Sequence, residues 1–308
     1  MKSIAYLASA FLILTASMTD AASLYPEISD NSHASPEVAQ ILNDVFAAKS
    51  QHKPAAMMTF FSTGPMAYFD ANLGWAFADH KALADMLETY MPQWPKTALS
   101  YPTRISGDTH SALVQFTDTP ELFGGEIRTL GVLDFKDGKV VRWVDYWDSR
   151  SYGAEAAAKL RTRADKFPDL RYDIESDGTS AKITSVSQKL NEALAAGDAA
   201  SADALFSYDA VYEDMALRAQ IRGKLAIGKY LERVLAKAPY GKNAKLVHVV
   251  GSDQGGGYEW VNADNSVERG VIAIDLDEAG QIMRLTTTWD NGVMSDSDYQ
   301  ALAAATAP

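Results

Sequence analysis

Two aspartates each follow a tyrosine by two residues in otherwise apolar runs: Tyr68 and Asp70 in "AYFDANL", Tyr212 and Asp214 in "VYEDMAL". Side chains alternate along an extended chain, so each tyrosine shares a face with its aspartate. If that face is the inside of the fold, burial disfavours the charged carboxylate and lifts its pKa toward neutrality. The result is a usable general base, with a phenol beside it to donate to the carboxylate or to a ligand. The competing reading has each aspartate capping the turn after its strand or facing solvent, with Glu213 a surface neighbour of Asp214. In "RWVDYWD" the same alternation puts Trp143, Asp145 and Trp147 on one face. Asp70 and Asp145 sharing an apolar site would split their pKa values into an acid and a base, as dehydration, epoxide opening or β-elimination requires. The opposing reading leaves Asp145 and Asp148 on a rim in water.

The counterparts of Trp143, Asp145 and Trp147 further along are Leu285, Thr287 and Trp289, so only the first half has the second acid. Tyr258 and Trp260 share a strand face; lining a pocket they favour a flat or aromatic ligand, and as core they need none. Trp143, Trp147, Tyr258, Trp260 and Trp289 are therefore candidate substrate contacts, together with His80 at the start of the helix after Asp70. The other histidines, His33, His52, His110 and His248, are scattered without metal-ligand spacing and read as surface or loop residues. Gly255 to Gly257 precede a strand instead of joining strand to helix, so they make no phosphate loop, and there is no nucleophile elbow. No metal and no cofactor is expected.

The elements that must position these residues occur twice. "RTLGVLDFKDGKVVRWVDYWDS" (128–149) and "RGVIAIDLDEAGQIMRLTTTWDNG" (269–292) are each strand, tight turn and strand ending in Trp-Asp. Upstream, Tyr68, Asp70, Leu83 and Leu87 fall against Tyr212, Asp214, Ile227 and Leu231. Each half opens on an amphipathic helix, one capped by Ser35 with Pro36 in its first turn, the other ending at Gly197. A length of 308 residues suits two domains, read as 35–150 and 182–295 with a helical, charged linker over 151–181. Residues 1–22, with Lys2, an apolar run from Ile4 to about Leu14, and small residues at Thr19 and Ala21, read as a secretory signal peptide. A net charge of -12 argues against nucleic acid or an anionic membrane as partner and suits a neutral or cationic small ligand. The absence of cysteine excludes disulfides and thiolate chemistry.

"LFSYDAVYEDMALRAQIRGKLAIGKYL" and the closing "GQIMRLTTTWD" resemble the SnoaL-like and ketosteroid-isomerase-like proteins of the NTF2-like superfamily. The likeness covers most of 183–292 and, more loosely, 37–150. It implies an α+β fold, a cone-shaped curved antiparallel sheet wrapped round helices, here in tandem, with sheet faces free to pair as an internal pseudo-dimer or in a homo-oligomer. It also implies that Asp214 is a general base beside a carbonyl. The family's phenolic donor falls at Leu190 and its protonated acid near Ile272, neither of which can donate, so the standard steroid isomerisation is not expected.

The expectation is an exported, periplasmic or secreted, cofactor-independent lyase or isomerase. It would use Asp/Tyr acid-base chemistry on a small hydrophobic, oxygenated or aromatic molecule. The rivals are a module that only binds such a molecule or a protein partner, and a chain with one catalytic half and one scaffold half.

Overall fold

The computed structural model describes residues 25–307; the leader read over 1–22 lies outside them. The first half starts with β1 (Asp30–Ala34) and α1 (Pro36–Ser50), whose N-cap Ser35 accepts from the Val38 N–H at 3.3 Å. Next come α2 (Pro54–Met58), β2 (Ala67–Asp70), β3 (Trp75–Phe77) and α3 (His80–Tyr90). Four longer strands follow, β4 (Ser100–Gly107), β5 (Ser111–Asp118), β6 (Ile127–Lys136) and β7 (Lys139–Trp147), with α4 (Pro120–Phe123) between β5 and β6. After α5 (Ser149–Tyr152) and α6 (Ala154–Leu160) the order recurs: α7 (Ala181–Ala196), α8 (Ala199–Ala204), β8 (Phe206–Asp214), β9 (Ala219–Arg222) and α9 (Lys224–Val234). The chain ends with β10 (Lys245–Gly251), β11 (Gly255–Val261), β12 (Arg269–Leu276), β13 (Ile282–Trp289) and α10 (Asp296–Ala305).

The fold is α+β, with two sheets ordered β1-β4-β5-β6-β7-β2-β3 and β10-β11-β12-β13-β8-β9. Without β1, every strand of the first sheet has a counterpart in the second. Bulges at Pro102/Arg104 and Asp134/Phe135 in one sheet, and at Leu246/His248 and Asp275/Leu276 in the other, bend the long strands. On one side of the first sheet, Val38, Leu42 and Phe46 of α1 and Leu83 and Leu87 of α3 pack on Phe116, Leu133 and Trp143. On one side of the second, Ile183 and Leu190 of α7 and Ile227 and Leu231 of α9 pack on Tyr258, Trp260 and Trp289.

The other faces of the two sheets pack on each other, Leu113, Leu130, Val132, Val144 and Tyr146 against Met215, Val250, Val271 and Ala273. Close approach depends on Gly257, where an added Cβ would stand 2.7 Å from Leu113 Cδ1. Every residue of β7 after Lys139 is buried, because helices and cavity wall cover one face and the second sheet covers the other. This is why the strand reads as a nearly continuous apolar run.

Charges cross the seam at its centre. Arg142 and Glu259, both fully buried, form a two-armed ion pair at 2.7 and 3.1 Å. The Tyr146 hydroxyl donates to Glu259 at 2.6 Å and Arg142 Nε to the Leu170 carbonyl at 2.8 Å, so most of the pair's polar atoms are matched. His248, read from sequence as a surface residue, instead stands on β10 with Nε2 2.8 Å from Asp134 of the first sheet. Asp275 accepts from Arg104 at 2.9 Å and Ser106 at 2.5 Å. The two Trp-Asp endings are reciprocal ties: Asp148 takes Arg218 of the second half at 3.2 Å, and Asp290 takes Ser149 of the first half and Arg161 of the linker. Asp148 is thus buried at the joint and not on a wet rim.

Removing one member of a buried ion pair strands the other charge. Arg142→Met is therefore expected to lower unfolding free energy by about 3–5 kcal/mol, read by denaturant titration. Arg142→Met combined with Glu259→Met should cost less than the two single changes added together. Single changes costing under about 1 kcal/mol would show that apolar contacts alone hold the sheets together.

Candidate active site

β2 runs parallel to β7 with Asp70 directly beside Asp145 and Tyr68 beside Trp143, so the two carboxylates and the phenol meet on the helix-covered side of the sheet. They line a cavity of about 660 Å³ that also takes in Trp147, Lys49 and Asp118. Room for Asp145 comes from Gly131 opposite it on β6: an added Cβ there would stand 2.9 Å from Trp143 Nε1 and 3.1 Å from Asp145 Oδ1. The mouth is aromatic and open, with Trp75 43%, Tyr90 57% and Phe123 41% exposed.

Asp70 Oδ1 accepts from the backbone N–H of Asn72 at 2.9 Å and Leu73 at 2.8 Å, and Oδ2 accepts from the Trp147 indole at 3.1 Å. It both caps its turn and faces the cavity, so the two readings of the sequence describe one residue. Burial pushes its pKa up to about 6, with those three hydrogen bonds pulling the other way. Asp145 accepts from the Tyr68 hydroxyl and from Trp143 Nε1 at 2.7 Å. Burial pushes it up to about 7 against the pull of Tyr68, Lys49 and Trp143, and the charge of Asp70 adds to the rise. The Tyr68 hydroxyl is pushed well above its ordinary range by burial and then by Asp145, which keeps it a proton donor. Burial, more than repulsion between the two acids, holds both near neutrality. Asp145 is only 6% exposed and does not lie on a wet rim.

The second half keeps part of this arrangement and closes it. Asp214 Oδ1 accepts from the Leu217 N–H at 2.9 Å, as Asp70 does from Leu73. Thr287 stands beside it in the register place of Asp145, and its hydroxyl donates to the Val271 carbonyl. Tyr212, Asp214, Tyr258, Trp260 and Trp289 are each at most 2% exposed, four of them within the second core. Among the described residues the hydroxyls of Tyr212 and Tyr258, Asp214 Oδ2 and the indole N–H groups of Trp260 and Trp289 have no hydrogen-bond partner. Leu302 of α10 is buried in that core with Tyr299 and Ala303 packed against it, and Arg233 of α9 ties down the end of α10 through the carbonyls of Ala305 and Ala307.

Of the residues read from sequence, Tyr68, Asp70, Asp145 and Trp147 line the first cavity. Trp143 lies beneath it and holds Asp145. His80 opens onto a different cleft, its Nε2 3.2 Å from the Met58 carbonyl. Sequence reasoning passed over Lys49 and Asp118, which pair at 3.0 Å inside the cavity. A signal was present: Leu42 and Lys49 are seven residues apart, which puts a lysine on the core stripe of an amphipathic helix.

Burial pushes Asp214 up to about 7 against the pull of the Leu217 N–H. A raised carboxyl pKa costs stability wherever the unfolded chain is ionised. The cost is absent below about pH 4, grows as pH rises, and is complete above about pH 7, where it reaches about 4 kcal/mol. Asp214→Asn keeps an oxygen for the Leu217 N–H and is expected to raise the denaturation midpoint at pH 8, with the gain vanishing near pH 4. Equal midpoints at pH 8 would contradict a buried Asp214 whose ionisation costs stability.

No family model matches the sequence, and no curated protein matches it. Solved structures similar to parts of the chain include a steroid delta-isomerase from Pseudomonas aeruginosa, 16% identical over 42% of this chain and 90% of that one, TM-score 0.32. A SnoaL-like protein of unknown function from Burkholderia thailandensis is 12% identical over 37% of this chain and 99% of its own, TM-score 0.33. An NTF2-like protein of unknown function from Burkholderia xenovorans is 18% identical over 35% of this chain and 83% of its own, TM-score 0.30. At these identities and TM-scores the likeness assigns no residue a role.

Proposed function

We propose that the protein is an exported, cofactor-independent lyase or isomerase whose first half does the chemistry, on a small hydrophobic, oxygenated or aromatic molecule. One observation carries this reading: two carboxylates, Asp70 half-buried and Asp145 buried, raised to about 6 and about 7, stand side by side in an open cavity, while the residues on the matching face of the second half are shut off from solvent. Groups poised near neutrality can give and take protons at little cost. Asp70, the stronger acid of the two, is the base that removes a proton beside the substrate's activating group. Asp145, protonated over more of the pH range, gives its proton to a leaving hydroxyl in a lyase. In an isomerase Asp70 returns the proton to a different carbon. Tyr68 holds Asp145 in place. The second half serves as scaffold, so that one chain makes the sheet-to-sheet pairing of an internal pseudo-dimer. Among the described residues no helix is long and apolar enough to cross a membrane, and the leader over 1–22 supports export.

The aromatic mouth would also suit a module that only binds. Mass spectrometry separates the two, with a pool of hydroxylated, keto and aromatic compounds incubated in deuterium oxide with wild type, Asp70→Asn and Asp145→Asn. Turnover appears as loss of water from one compound or as deuterium uptake without loss. Asp70→Asn is expected to slow either reaction, and Asp145→Asn the loss of water, roughly 10²–10⁴-fold. The wild-type rate should rise as Asp70 ionises through about pH 6 and fall as Asp145 loses its proton through about pH 7. A compound that binds all three proteins unchanged leaves the binding module.

A further inference from the structure

The two halves serve as internal controls for each other, and three charged residues separate them. The shared set is Tyr68, Asp70 and Trp147 against Tyr212, Asp214 and Trp289. Strand register fixes the other correspondences: Phe116, Thr129 and Trp147 lie side by side across β5, β6 and β7, as Trp260, Gly270 and Trp289 do across β11, β12 and β13. Counting from those rows, Asp118 falls at Asn262 and Asp145 at Thr287. On the opening helices, Leu42-Asn43 against Leu190-Asn191 puts Lys49 at Gly197. The half with the open cavity has Lys49, Asp118 and Asp145; the closed half has none of them.

Lys49 stands in the last turn of α1, with its side chain 12% exposed. Its ammonium donates to Asp118 Oδ1 at 3.0 Å and lies 5.1 Å from the centre of the Phe116 ring. Asp118 is its sole hydrogen-bond partner among the described residues, although an ammonium carries three N–H groups. Among the described residues it is also the one basic side chain lining the cavity, facing Tyr68, Asp70, Asp118 and Asp145. The Tyr68 hydroxyl donates to Asp145 and cannot donate to a ligand without leaving it. A buried cation with N–H groups to spare, across from a general base, meets the requirement that enolisation sets: a donor placed where negative charge develops.

We propose that Lys49 donates to the substrate's carbonyl oxygen, that Asp118 positions it, and that the substrate is a ketone or β-hydroxy ketone with its carbonyl at the Lys49 end of the cavity. The proposal rests on the acid-base reading of the same site. Asp70 takes the proton from the carbon next to the carbonyl. The C–H pair becomes a carbon-carbon double bond, and the carbonyl π pair moves to the oxygen held by Lys49. In elimination the oxygen returns its pair to re-form C=O. The double bond shifts to the α and β carbons, the β C–O bond breaks, and the hydroxyl leaves as water with the proton of Asp145. In isomerisation the ketone carries a β,γ double bond: the oxygen returns its pair to re-form C=O, the double bond shifts to the α and β carbons, and the γ carbon takes the proton from Asp70.

2-Naphthol tests the donor without turnover, because its neutral and ionised forms differ in fluorescence. Titrated with the whole mature protein, the bound naphthol should have a pKa at least about tenfold (one unit) lower in wild type than in Lys49→Met, with Lys49→Arg between them. Asp118→Asn frees the ammonium from its counter-charge and should increase the ionised fraction, which decides the matter if Lys49→Met fails to fold. Ionisation unchanged in Lys49→Met or in Asp118→Asn, or no naphthol bound by wild type, would overturn the proposal. Asp70→Asn should bind and ionise naphthol at least as well as wild type. Naphthol ionised as expected while the wild type itself turns over nothing in the compound pool would sink the acid-base reading and leave Lys49 as the oxygen donor of a binding site.

Discussion

The buried Arg142–Glu259 pair sits where the two sheets meet, and the geometry of the acid site follows from it. Along β7 side chains alternate, so Arg142, Val144 and Tyr146 face the second sheet while Trp143, Asp145 and Trp147 face the cavity. Anchoring the first set fixes the second, since a slip of one residue would turn every side chain to the opposite face. A charged pair gives this seam a direction that apolar contacts alone would not. Guanidinium and carboxylate match in one geometry, and any other alignment leaves a full charge buried.

The carboxylates of the site are costly for the same reason that makes them useful. A fold that keeps Asp145 and Asp214 out of water, and Asp70 partly so, sets their ionisation against stability, and the hydrogen bonds from Trp147, Trp143, Tyr68 and nearby backbone N–H groups offset part of that cost. In the first half the cavity and its aromatic mouth give the buried acids something to act on. In the second, α10 and the ring of tyrosines and tryptophans close the corresponding space, and Asp214 remains as a turn cap inside a core. The comparison within one chain separates what the fold needs from what the site needs. The Asp that caps the turn and the Trp at the end of the last strand occur in both halves, whereas Lys49, Asp118 and Asp145 occur in one.

The sequence determined which side chains share a face. Tyr68 with Asp70, and Trp143 with Asp145 and Trp147, follow from an alternation that is local to the strand, and the doubled order of elements is legible as a repeat because each element carries its own pattern of spacing. The tertiary structure decided which face is inside, which half is open, and which groups meet. Lys49 reaches Asp118 across 69 residues, and Arg142 reaches Glu259 across 117. No spacing along the chain encodes those approaches, because they depend on how bulged strands bend round a helix and how two sheets settle on one another. Closure of the second cone by α10 is of the same kind: the helix is readable as a helix, but what it covers is set by packing against residues far away in the chain.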